Sequence, residues 1–242
     1  MGNAQQPVEP DHADILAIAA SRKLRDLVAG PLGGLIADSF RVVPQQARSM
    51  ESVERILAAL ERLARRAHGI DALTLEAVAL EAHVSPQATY RYFHDVTDVM
   101  QLFARRVQTV EHELLMAVLT ERRFETELDL AQTAVSFVIE AYRQLLAFPV
   151  RIRRQVARYY TEISYSLVWT LSEIVASNLT SRGAPCVEIG AAPLSSALVS
   201  IMSVAVSFCV RGDRRIASSD CRRIMLNIFL AAIGGAASSI PA

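Results

Sequence analysis

The stretch His83 to Asp95, HVSPQATYRYFHD, gathers a Ser-Pro pair, two tyrosines around one arginine, and a histidine near each end. Its chemistry is hydrogen bonding through hydroxyls, ring nitrogens and an amide, with Arg91 as the single permanent cation. Catalytic chemistry finds little support elsewhere. The chain has no phosphate-cradling glycine motif. His12, His68, His83, His94 and His112 show no paired metal spacing, and no nucleophile has an evident base. The sequence therefore predicts neither an enzyme nor a bound cofactor or metal.

A second concentration of rings, Tyr142, Tyr159, Tyr160, Tyr165 and Trp169, falls on two neighbouring helical stretches. Such side chains line apolar ligand pockets and supply a polar handle for orientation, and they serve equally as ordinary core. Cys186, Cys209 and Cys221 are odd in number and far apart, which fits small apolar residues in a reduced, cytoplasmic compartment. No basic region followed by an apolar run opens the chain, so no secretory signal is expected.

Helices must position these groups. Of the 242 residues, 52% are hydrophobic and only 6% aromatic, and Ala and Leu dominate, a composition that favours helix over strand. Asp11 to Val28 places Ile15, Ile18, Ala19 and Leu27 near one face and predicts one amphipathic helix, followed by a connector through Pro44 with at most a short turn. Val53, Ile56, Leu57, Leu60, Leu63 and Ala64 follow the three-four spacing of a strong helix over 49–68. Thr74 can cap a short helix and Ser85 the next, with Pro86 at the first position where its missing N–H costs nothing. Asp95 caps a long helix from Val96 to Glu121. Two short helices joined by a tight turn, with Ala79 small enough for a close crossing, spell a helix-turn-helix.

The segment LTLEAVALEAHVSPQATYRYFHDVTDVM resembles the DNA-binding domain of TetR/AcrR-type regulators. Thr74, Val78, Ala79, Ala82, Val84, Ser85, Tyr90, Tyr92, Phe93 and Val99 fall in register over about fifty residues. The resemblance implies an all-α protein in three parts: an extension at 1–47, a helix-turn-helix domain at 48–100, and an effector-binding and dimerisation domain at 101–242. It implies a core of Leu75, Val78, Ala79, Ala82, Val84 and Phe93. Thr74, Tyr90 and Tyr92 match positions that bond phosphates. Ser85, Pro86, Gln87, Ala88 and Arg91 match the capped start and outer face of the recognition helix. Gln87 is suited to adenine, Ala88 to a thymine methyl, and Arg91 to guanine or a phosphate. Three positions depart from the family. The turn glycine is His83, the usual threonine is Ala88, and the usual lysine is Val96, for which His94 is a partial substitute.

Charge is unusual for a DNA-binding surface. Residues 48–116 hold eight arginines against ten Asp and Glu, and the whole chain balances 25 cations with 25 acids. Few phosphates can be neutralised, so weak binding with a shallow salt dependence is expected.

Beyond the domain, Thr126 to Phe148 predicts a helix with Leu130, Ala134, Phe137, Val138, Ala141, Leu145 and Phe148 on one side. Arg151, Arg153, Arg154 and Arg158 open the next helix as a solvated or salt-bridged face, or as a grip for an anionic ligand. Residues 190–210 carry no charge until Arg211, and a second apolar run follows. A transmembrane hairpin is one reading. The resemblance implies the other, a cytoplasmic homodimer through the two C-terminal helices, without a membrane. It also implies double-stranded operator DNA and a small, largely apolar effector near Tyr142, Tyr159, Tyr165 and Trp169 as partners.

Overall fold

The computed structural model describes residues 15–30, 33–66, 73–121, 124, 126–156, 172–173, 176, 191–211 and 214–234. Every regular element among them is helical: α1 (Ile15–Ser21), α2 (Leu24–Ala29), α3 (Gly33–Ala37), α4 (Ala47–Arg66), α5 (Leu75–Glu81), α6 (Pro86–Tyr92), α7 (Val96–Glu121), α8 (Glu127–Gln144), α9 (Ala191–Arg211) and α10 (Ser219–Ala232). Residues 150–156 are also helical.

The three-four spacing in α4 buries Val53, Ile56, Leu57, Leu60 and Ala64, and Leu63 is partly buried. Each large side chain so buried contributes ~1.5–3 kcal/mol. Against α4 lie α5 and α7. α7 has the bounds its sequence predicts, and from Leu102 to His112 every side chain except Arg105 is buried. That burial is possible because α1, α2 and α3 cover one side of α7 while α4 and α8 cover others.

The amino-terminal extension differs from its expected single helix. The chain breaks at Arg22–Lys23, and the cause is tertiary. The Arg106 guanidinium donates to Ala19 O at 2.6 Å, Ala20 O at 3.1 Å and also Arg22 O, taking the carbonyl end of α1. Glu54 accepts from Leu24 N at 2.5 Å, taking the amide end of α2. The expected connector also holds a helix, α3, fixed by Arg105 Nη1 donating to Leu35 O at 2.6 Å and Ser39 Oγ at 3.0 Å. Gly33 starts α3 against Val28, whose carbonyl oxygen lies 1.9 Å from where a Cβ would stand.

Thr126 caps α8 by accepting from Asp129 N at 3.1 Å. The α-helix stops at Gln144, earlier than the sequence predicts, and tightens into a 3-10 turn over Leu145–Ala147 ahead of Pro149. All the expected apolar residues of α8 are buried except Phe137, which is partly buried.

α8 packs on α9 and α10, which pack on each other. Ser200, Ser203 and Ser207 turn their hydroxyls back onto carbonyls one turn earlier, at 2.7, 2.8 and 2.9 Å. α9 is, among the described residues, the one helix long and apolar enough to cross a membrane, with a mean hydropathy of 1.7 over Ala191–Phe208.

Candidate nucleic-acid interface

Local chemistry builds the helix-turn-helix. Thr74 Oγ1 accepts from Ala77 N at 3.1 Å and starts α5. Ser85 Oγ accepts from Ala88 N at 3.2 Å and starts α6, with Pro86 in its first turn. Between them, Val84 N donates to Ala79 O at 3.0 Å, and Ala79 is fully buried at the crossing. His83 takes φ 52°, the left-handed conformation expected where the family uses glycine. Its carbonyl accepts a long bond, 3.5 Å, from Arg55 Nη1 on α4. Asp95 Oδ1 caps α7 by accepting from Thr97 N at 2.7 Å and Asp98 N at 3.3 Å.

The core expected under this motif is largely in place: Leu75, Val78, Ala79, Ala82 and Phe93 are buried, while Val84 is only partly so. Thr74, Ser85, Pro86, Gln87, Tyr90, Arg91 and His94 are exposed, and Ala88 is half-buried. Tyr92 departs from its expected place on the surface. It is 6% exposed, its carbonyl accepts from Arg41 N at 2.9 Å, and the neighbouring Phe93 stacks on Phe40 at 5.7 Å. The end of the extension thus closes over the end of α6 and draws Tyr92 into the core.

Carboxylates engage the outward donors. Tyr90 donates its hydroxyl proton to Glu76 Oε1, across from α6 to α5. That bond, helped by Glu76's own backbone N–H, holds the Glu76 carboxyl below its usual range. The same bond pushes the Tyr90 hydroxyl up. Asp98 Oδ2 accepts from His94 N at 2.7 Å and lies 3.0 Å from His94 Nδ1. On the flank, Arg62 Nε donates to Glu81 Oε1 at 2.7 Å and Arg65 Nη2 to Glu61 Oε1 at 2.8 Å. The sequence offered Glu76 only as a favourable charge in the first turn of α5. Its partner fourteen residues away depends on how two helices cross, whereas His94–Asp98 is a legible one-turn spacing.

Residues 56–99 match the model for bacterial regulatory proteins of the tetR family. Over this segment the helix-turn-helix is similar to the DNA-binding domain of TetR-family transcriptional regulators. The match runs from within α4 to the first turn of α7, so it spans the whole helix-turn-helix and leaves out the extension and the C-terminal helices. No curated protein matches the chain.

In this DNA-binding regulator, α7 runs from the interface into the C-terminal helices and carries a buried polar pair there. Glu111 is 2% exposed, and burial pushes its carboxyl up to about 8. His112 is 5% exposed; burial lowers its pKa, and a bond between Nδ1 and Gln108 O at 2.7 Å partly offsets that. Glu111 and Arg106, both among the charges of residues 48–116, are buried and belong to the interior rather than to the surface. Of the candidate ligand residues, Tyr142 is buried on α8, 1% exposed, and Tyr159, Tyr165 and Trp169 lie outside the described residues, as does Tyr160. Of the basic segment, Arg151 and Arg154 are exposed, but Arg153 is buried and donates to Leu146 O at 3.4 Å, which takes it out of any solvated face. A small apolar crevice of about 10 Å³ lies elsewhere, between α4, α7 and residues 148–156, lined by Leu60, Met100, Phe103, Phe148 and Ile152 among others.

Proposed function

We propose that this protein is a homodimeric, ligand-responsive repressor that acts in the cytoplasm and reads double-stranded operator DNA. Gln87, Ala88 and Arg91 contact bases, while Thr74, Ser85, Pro86, Tyr90 and His94 meet the phosphate backbone; Tyr92 supports them from beneath. The observation that carries this reading is the exposed outer face of α6, held rigidly by two side-chain caps and by the closed turn at His83. Residues 48–100 act as the DNA-binding unit, 101–242 as the effector-binding and dimerisation unit, and 1–47 as a brace.

A small, largely apolar effector held among the C-terminal helices near Tyr142, Tyr159, Tyr165 and Trp169 releases the operator. Support comes from α7, a single 26-residue helix that starts beside the recognition helix, buries Glu111 and His112 along its length and packs on α8. A change in packing at that end moves the start of α7 and alters the spacing of two recognition helices.

The homodimer forms through α9 and α10. The folded-back serine hydroxyls of α9 leave a smooth surface of small residues, and Ile224 on α10 is 47% exposed. The hydropathy of α9 also favours a membrane hairpin as a second reading. One preparation separates the two. Extraction without detergent, sedimentation as a dimer, and selection of duplexes with two related half-sites support the repressor. Recovery only in the membrane fraction supports the hairpin.

A further inference from the structure

We propose that Glu76 keeps the DNA face self-occupied: its carboxylate holds, on the Tyr90 hydroxyl, the place of a backbone phosphate, and so sets the affinity of this regulator for DNA. The inference rests on the reading of that hydroxyl as a phosphate contact. An exposed donor on α6 that stands ready for an outside anion is instead taken by a carboxylate of the same chain, on α5. The hydroxyl has a single proton to donate, so it cannot serve both acceptors at once.

DNA binding through this hydroxyl is then an exchange of one anion for another. Both are charge-assisted acceptors, so the exchange yields little net hydrogen-bond energy. The displaced carboxylate stays on an exposed surface beside the arriving phosphate, within the ~8–10 Å over which charges repel at ordinary ionic strength. Phosphate contacts carry no sequence information, so the penalty falls equally on every DNA sequence. Its consequence is discrimination. Non-specific binding is suppressed, and stable binding depends on the base contacts of Gln87 and Arg91. No phosphate-facing lysine offsets the carboxylate, because that position is Val96.

Glu76→Gln tests this, since glutamine keeps the size and an acceptor oxygen but removes the charge. Full-length protein is titrated into a fluorescent mixed-sequence duplex across a series of salt concentrations, and a thermal melt establishes folding. E76Q is expected to bind about tenfold more tightly at low salt, with a log–log salt slope steeper by about one to two per dimer. In a Tyr90→Phe background the same charge removal is expected to gain less than about threefold, because the hydroxyl that the carboxylate holds is gone. Unchanged or weaker binding by a folded E76Q overturns the proposal and makes Glu76 a residue that merely orients Tyr90. Should E76Q fold poorly, Glu76→Ala decides on the same duplex: tighter binding at low salt supports the proposal, and unchanged or weaker binding by the folded variant overturns it. Absence of duplex binding by both wild type and E76Q overturns the phosphate-contact reading itself, a result distinct from equal binding by the two.

Discussion

Arg106 of α7 and Glu54 of α4 meet at 2.5 Å, and between them they take the two chain ends exposed where α1 breaks from α2. The arginine side chain is 5% exposed and the carboxylate 30%. This pair ties the extension, the first helix of the DNA-binding unit and α7 into one junction, and Arg22–Glu113 at 2.5 Å adds a second, exposed tie between extension and α7.

Removal of the buried Arg106 takes the donor from three carbonyl oxygens and leaves the Glu54 carboxylate with Leu24 N alone. Arg106→Ala is expected to cost ~3–5 kcal/mol, since three carbonyl oxygens and a carboxylate lose their donor together. Arg22→Ala, by contrast, removes an exposed ion pair and is expected to cost under ~1 kcal/mol. Urea unfolding of both variants checks the contrast; equal effects would contradict the junction.

His83 strains the turn. A non-glycine residue in the left-handed region costs ~1–2 kcal/mol, and glycine there gives back ~0.5–1 kcal/mol through the freedom it adds to the unfolded chain. His83→Gly is therefore expected to raise stability by up to ~1 kcal/mol without changing the turn, measured as an increase in the urea midpoint. A lower midpoint would mean that the His83 ring makes a stabilising contact.

These two sites also mark what sequence makes visible. The caps Thr74, Ser85, Asp95 and Thr126 and the conformation of His83 are legible because each is satisfied within a few residues. The bounds of α7 are legible for the same reason. The break in the extension is not, because its hydrogen bonds come from residues thirty to ninety positions away. Tyr92 looks like an outward hydroxyl until the extension folds over it, and Glu76 looks like a simple helix-end charge until α6 crosses α5. Glu111 reads as surface because it is charged and is followed by His112 and Glu113, yet the helices packed around α7 leave it 2% exposed.

Glu111 gives the fold a pH dependence. Its carboxyl titrates near 4.5 when unfolded and at about 8 when folded, so between those values the folded state holds a proton that the unfolded state has released. Its contribution is fully present below about pH 4.5 and is lost as pH rises towards about 8. Glu111→Gln removes that titration. The stability of wild type relative to E111Q is expected to fall with rising pH across this window, by at most ~1.4 kcal/mol per unit. Referring each value to E111Q cancels the opposing titration of His112. A difference that stays flat would contradict the burial of a protonated Glu111.

The central claim is that α6 reads base sequence through Gln87 and Arg91. Duplexes bound by the full-length protein are selected from a random pool, and the selection is repeated with Gln87→Ala and with Arg91→Ala. Each substitution is expected to relax preference at one position of each half-site by ~1–3 kcal/mol, leaving the other positions intact. Half-sites identical for wild type and both variants would contradict the account.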